Sequence, residues 1–193
     1  MSTVVVVKKQ GIVCIAADTM TSFGNNKQLA TYDAYPTKIV NLDNSAYLGL
    51  VGSAAHNLVI ESIFAREKQI PRFENRLEIF EFFRKLHPRL KKEYFLNPQE
   101  DEEDPYESSQ IDMFIANRYG IFGIFSLREV FEYLKFWAIG SGSEYALGAM
   151  YAAYDQFDSA EAIARIGVAA GIEFDDGSGA PMTSHCVQLI EKS

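Results

Sequence analysis

The order of elements legible in this 193-residue sequence predicts an α+β fold: a four-layer αββα sandwich of two mostly antiparallel sheets. Three observations predict it. Short β-branched and apolar runs fall into two separate sets, each set is followed by a pair of segments with helical spacing, and strands do not alternate singly with helices as a parallel α/β fold requires. Two sheets packed face to face, each with a helix pair outside it, bury the apolar faces of all these elements.

The first strand is expected over Thr3 to Lys9 and the second over Ile12 to Ala17, with Gln10-Gly11 as the turn of a hairpin. After a loop at Gly24-Asn25-Asn26, strands follow at Lys38 to Leu42 and Ala46 to Val51, parted by Asp43-Asn44-Ser45, so four strands precede any helix. From Ser53, the run SAAHNLVIESIFAREKQ has helical spacing. RLEIFEFFRKLHPRLKKEYF is helical as well, with a kink or early break expected at Pro88. Asn97 to Ser109 is an acidic, proline-containing loop, expected to be a solvated connection, with sorting of substrates as the lesser alternative. Strands at Ile111 to Ala116, Tyr119 to Ser126, Glu129 to Leu134 and Phe136 to Ile139 form the second set. Gly140 to Ser143 opens a helix through Tyr154, Asp158 or Ser159 caps another that runs to Gly171, and Thr183 to Ile190 closes as a strand. One domain over residues 1–193 is expected, with a core large enough to need neither disulfide nor structural metal.

Composition excludes several functions. A formal net charge of -8 disfavours binding to nucleic acid or acidic lipid, which needs clustered Lys and Arg. The opening MSTVVVVKKQG reverses the order of a signal peptide and is too short to span a bilayer, so a cytoplasmic location is expected. Cys14 and Cys186 lie in apolar runs without metal-ligand spacing and are expected to be buried, reduced thiols. No cofactor or metal is called for.

HExxH, a Walker loop, a GxSxG elbow and GxGxxG are all missing, and His56, His87 and His185 are scattered, each expected to be structural or on the surface. A hydroxyl at the start of the chain remains. Removal of Met1 would place a free α-amine, with a reference pKa of about 7.7–8.0, beside the Ser2 side chain, so one residue would supply both nucleophile and base. Met-Ser alone is a weak signal.

Five segments strengthen it: STVVVVKKQGIVCIAADTMTS, PTKIVNL, LGLVGSAAHN, AIGSGSEYALGAMYAAY and DDGSG, in this order. Together they resemble the proteasome β-subunit family, an N-terminal nucleophile hydrolase fold, and among bacterial members most resemble HslV and its beta-proteobacterial branch. The resemblance implies Ser2 as nucleophile, Asp18 and Lys38 as its triad partners, and the Gly52 N–H as oxyanion donor. It further implies that Ser141, Asp175 and Ser178 surround the terminal amine, with Asp176 as the alternative to Asp175. Thr21 with Ser22, Pro36, Val40, Leu50 and Ala54 would line the first specificity pocket, and the absence of charge there suggests cleavage after apolar residues.

Two departures stand out. Serine replaces the family's usual threonine and lacks the methyl that stiffens χ1, which implies slower turnover; Thr3 is a rival nucleophile one place out of register. The segment between Asp18 and Lys38 is several residues longer than in HslV and is a candidate for touching substrate. The resemblance implies a homo-oligomeric double ring of six or seven subunits per ring, with seven favoured, taking peptides or unfolded proteins, with an AAA+ unfoldase as a possible partner. The alternatives are a non-catalytic, ring-forming structural or regulatory subunit and an N-terminal nucleophile amidohydrolase acting on small amides.

Overall fold

A computed structural model describes residues 2–43, 45–67, 69–98 and 104–190. The first layer is the sheet β10-β1-β2-β11, built from Val4–Lys9 (β1), Ile12–Asp18 (β2), Phe136–Ile139 (β10) and Met182–Gln188 (β11), with every neighbouring pair antiparallel. The second is the sheet β5-β6-β7-β8-β9, from Ile39–Asn41 (β5), Ala46–Val51 (β6), Asp112–Asn117 (β7), Gly120–Ile124 (β8) and Val130–Tyr133 (β9), also antiparallel.

Strand alternation divides the apolar residues between layers. Val4 and Val6 of β1 join Ile15, Tyr47, Phe114 and Ile121 in the core between the sheets. Val5 and Val7 face the other way, against Ala146, Met150, Ile163 and Val168 of the helices Ser143–Ala153 (α3) and Ala160–Phe174 (α4). Leu48 and Leu50 of β6 likewise meet Ile60, Ile63, Phe83 and Leu90 of the helices Ala54–Arg66 (α1) and Arg76–Glu93 (α2). The result is the αββα sandwich. Each fully buried side chain of this size contributes about 1.5–3 kcal/mol. The two sheets approach so closely at Gly49 that a Cβ there would lie 2.6 Å from Val4 Cγ1 and 2.7 Å from Ile15 Cδ1.

Several expectations are corrected. Six strands precede α1 among the described residues, because Thr21–Phe23 (β3) and Asn26–Gln28 (β4) form a small hairpin around Gly24, followed by a 3-10 turn at Ala30–Tyr32. Three-residue strands carry too little alternation to be legible in sequence. Helix α2 runs through Pro88 without ending there. Proline removes one backbone donor, while Ile79, Phe83, Leu86 and Leu90 on both sides of it stay buried and hold the axis against the sheet. Asn75 caps this helix, its side chain accepting from Leu77 N and Glu78 N.

Cys14 is buried, but Cys186 is exposed, contrary to expectation; both are free thiols and face one another across β2 and β11. The middle of the acidic run, 99–103, lies outside the described residues. Its described end is tied down: Glu107 accepts from His87 Nε2 at 2.9 Å and from Lys91 Nζ. Among the described residues no helix is long and apolar enough to cross a membrane.

Candidate active site

Ser2 and Thr3 immediately precede β1. Ser2 lines an open cleft of about 670 Å³ between the β3–β4 segment and the start of α1. Thr3 is wholly buried beneath α4, where a Cβ on Gly171 would fall 2.2 Å from its Oγ1. The rival hydroxyl is absent from the lining of the cleft.

Asp18 ends β2 and is fully buried. Its Oδ1 accepts from Lys38 Nζ at 2.6 Å and Thr3 N at 2.9 Å, and its Oδ2 from Gly179 N at 2.9 Å and Met20 N at 3.2 Å. Four donors match the acceptor capacity of a carboxylate, so its orientation is fixed. Lys38 stands just before β5, its carbonyl held by Leu50 N at 3.0 Å, and its ammonium lines the same cleft as Ser2. Burial pushes the Lys38 pKa below the usual lysine range, and the Asp18 carboxylate opposes part of that shift.

A second set of bonds surrounds the Ser2 backbone. Ser2 N donates to Ser141 Oγ at 3.0 Å, and Ser141 Oγ donates to Asp175 Oδ2 at 2.7 Å. Ser178 Oγ donates to the same Oδ2, also at 2.7 Å. Because Ser178 has one hydroxyl proton, the 2.7 Å contact between Thr3 Oγ1 and Ser178 Oγ has Thr3 as donor. Gly142 N donates to Ser2 O at 3.2 Å. Gly140, at φ +95°, leaves the room this requires, since a Cβ there would lie 2.1 Å from Ser2 O. Asp175, the residue that ends α4, is the aspartate in this network; Asp176 is exposed and takes no part in these bonds.

Gly52, Thr21, Ser22 and Ala54 line the cleft with Ser2 and Lys38. Three other expected lining residues do not. Leu50 points into the layer beneath α1 and α2, Val40 lines the neighbouring cavity, and Pro36 lines neither. The cleft is wider than the expected uncharged pocket and takes in Asp33 and Glu61 as well. The long segment between Asp18 and Lys38 supplies Thr21, Ser22, Phe23, Asp33, Tyr35 and Thr37 to the cleft. Sequence reasoning missed Asn57, Leu58 and Glu61. Their spacing from Ala54 on α1, by three, four and seven residues, is the signal that places them on one face.

A different serine, base and acid meet elsewhere. His87 Nδ1 lies 2.8 Å from Ser109 Oγ and its Nε2 2.9 Å from Glu107 Oε2. Arg128 Nη1 donates to Ser109 Oγ at 2.9 Å and to Glu107 O at 2.6 Å. Ser109 is 1% exposed and lines no cavity described.

The profile of the family described as "Proteasome subunit" matches residues 1–170. Among solved structures, BPH of Thiobacillus denitrificans is 43% identical over 98% of this chain and 100% of that one, with a TM-score of 0.92. The same protein in complex with epoxomicin has the same identity and coverage at 0.90. Eukaryotic HslV from Trypanosoma brucei, 19% identical over 96% of this chain and 99% of that one, has a TM-score of 0.66, a likeness of fold. No curated protein matches the chain.

Proposed function

The chain belongs to the proteasome subunit family, and from that membership we propose that it is a peptidase subunit whose N-terminal nucleophile is Ser2. Met1, outside the described residues, is removed. The freed α-amine takes the proton from Ser2 Oγ as that oxygen bonds to the scissile carbonyl carbon. The carbonyl electron pair moves to oxygen, where the Gly52 N–H stabilises it; loss of such a donor costs about 10²–10³-fold in rate. Collapse breaks the C–N bond, and the departing amine receives the proton from the α-ammonium. Water, deprotonated by the α-amine, then hydrolyses the ester. Lys38 favours the deprotonated Ser2 oxygen, Asp18 holds Lys38, and Ser141, Asp175 and Ser178 orient the amine.

One observation carries this proposal. A buried lysine, paired at 2.6 Å with a carboxylate held by three backbone N–H groups, opens on the same cleft as Ser2, whose N–H meets a serine–aspartate relay. Family members self-assemble into rings; we take this chain to form a double ring of seven subunits each, located in the cytoplasm, with an AAA+ unfoldase as a candidate feeder. Native mass spectrometry distinguishes fourteen subunits from twelve, and denaturing mass reads the terminus. Retained Met1 would leave no amine for the mechanism. Hydrolysis of fluorogenic peptides is expected for the wild type and abolished in Ser2→Ala. Epoxomicin, bound by the 43% identical Thiobacillus protein, is expected to block it. Equal activity in wild type, Ser2→Ala and Lys38→Ala would remove the mechanism, and no activity above background in any of them would favour a non-catalytic ring subunit.

A further inference from the structure

We propose that Glu61 makes the cleft select peptides with a long cationic side chain, Arg or Lys, on the residue before the scissile bond; this rests on Ser2 being the nucleophile. Helix α1 forms one wall of the cleft, and the residues it contributes include Ala54, Asn57, Leu58 and Glu61, all on one face. Glu61 lies seven residues beyond Ala54, about 10 Å along the axis, and helical side chains tilt back toward the N-terminal end, where Ser2 and Gly52 stand. Its carboxylate is half-buried and has no hydrogen-bond or ion-pair partner among the described residues. Asn57, one turn earlier, also lines the cleft, and its buried Oδ1 has no partner either.

The other charges facing the cleft do not neutralise Glu61. Lys38 is committed to Asp18 at 2.6 Å, and Asp33, itself negative, holds Tyr35 N at 2.9 Å. The lining that Ser2 and Glu61 share includes small and apolar side chains, Ala54, Leu58 and Met20, beside the polar Ser22 and Asn57. An aliphatic stem fits against the apolar members of that lining, and a group that only donates hydrogen bonds fits the Glu61 carboxylate and the Asn57 Oδ1. A short or acidic side chain leaves the carboxylate unpaired or repelled. The inference replaces the apolar preference suggested by the sequence.

The test uses full-length protein and peptides that differ only before the scissile bond: arginine against citrulline, and lysine against norleucine. Each pair is closely matched in shape and differs in charge. In the wild type, kcat/KM is expected to favour the cationic member by about 10–100-fold, the worth of one charge-assisted hydrogen bond. Glu61→Gln, nearly isosteric, is expected to bring both ratios close to one, and Glu61→Lys to invert them. Ser2→Ala runs alongside. Hydrolysis of no peptide, or hydrolysis that survives Ser2→Ala, overturns the peptidase assignment and this inference with it. Ser2-dependent hydrolysis with ratios of one, or ratios that Glu61→Gln leaves unchanged, overturns this inference alone.

Discussion

The molecule holds two constellations of serine, base and acid, and they differ in access. Around Ser109 the contacts to His87 and onward to Glu107 are 2.8 and 2.9 Å, as short as any in a working triad. Yet Ser109 is sealed, and the Arg128 guanidinium occupies its oxygen. Around Ser2, Lys38 meets Asp18 at 2.6 Å and Ser2 N meets Ser141 Oγ at 3.0 Å, and Ser2, Lys38 and Gly52 share an open cleft. The first cluster is an anchor that ties the end of the acidic run to α2. Only the second has room for a carbonyl carbon.

The largest test of that contrast is Ser2→Ala, expected to lower peptide hydrolysis by at least about 10⁴-fold, to background. Lys38→Arg comes next. It keeps a cation against Asp18 but spreads the charge over a planar fork that cannot stand where the compact ammonium does beside the Ser2 oxygen, so kcat is expected to fall by about 10²–10⁴-fold. In the wild type, burial lowers the Lys38 pKa. Because Lys38 acts as the ammonium beside the Ser2 oxygen, the pH–rate profile should therefore carry a fall, beginning below the ordinary lysine range of about 10.4, that is missing in Lys38→Arg. An unchanged profile would break the link between Lys38 and Ser2.

Gly140→Ala places a Cβ against Ser2 O at a left-handed φ. It is expected to cost about 1–3 kcal/mol of stability and, by displacing Ser2, about 10²-fold in kcat. Circular-dichroism melts and single-turnover rates separate the two effects. Ser109→Ala is the reverse case: hydrolysis unchanged, with about 1–3 kcal/mol lost in urea unfolding, since it leaves His87 and Arg128 short of a partner. Loss of activity in a stable Ser109→Ala protein would undo the assignment of this cluster as structural.

The smallest effect concerns Glu107. Hydrogen bonds from Lys91 and then His87 hold its pKa at about 2. A carboxylate whose folded pKa is depressed stabilises the fold above the ordinary glutamate range and loses that contribution as pH falls toward 2. An NMR titration of Glu107 with a midpoint near 4.5 would show that the loop end is not anchored in solution.

Much of this was legible in the chain. Four consecutive valines at Val4 to Val7 announce a strand buried on both faces, and the two sets of strands, each trailed by helical spacing, announce the layers. Asp18 and Lys38 stood out as charges at strand ends. The β3–β4 hairpin did not, because each strand has three residues and the pair's one large apolar side chain, Phe23, is exposed, so no buried face alternates. The early break considered at Pro88 does not occur, because a helix tolerates one missing donor when its buried face continues on both sides.

By itself the sequence determined which side chains share a face, since periods of 2 and 3.6 are properties of the local backbone. What those faces meet was decided by the tertiary structure. Asp175 was separated from Asp176 by the serines that converge on it, Thr3 was turned away from the cleft that Ser2 lines, and Glu61 was set on its wall. Each outcome depends on at least one contact between residues more than twenty positions apart, whose register is fixed by sheet pairing and packing, and no local pattern encodes that register.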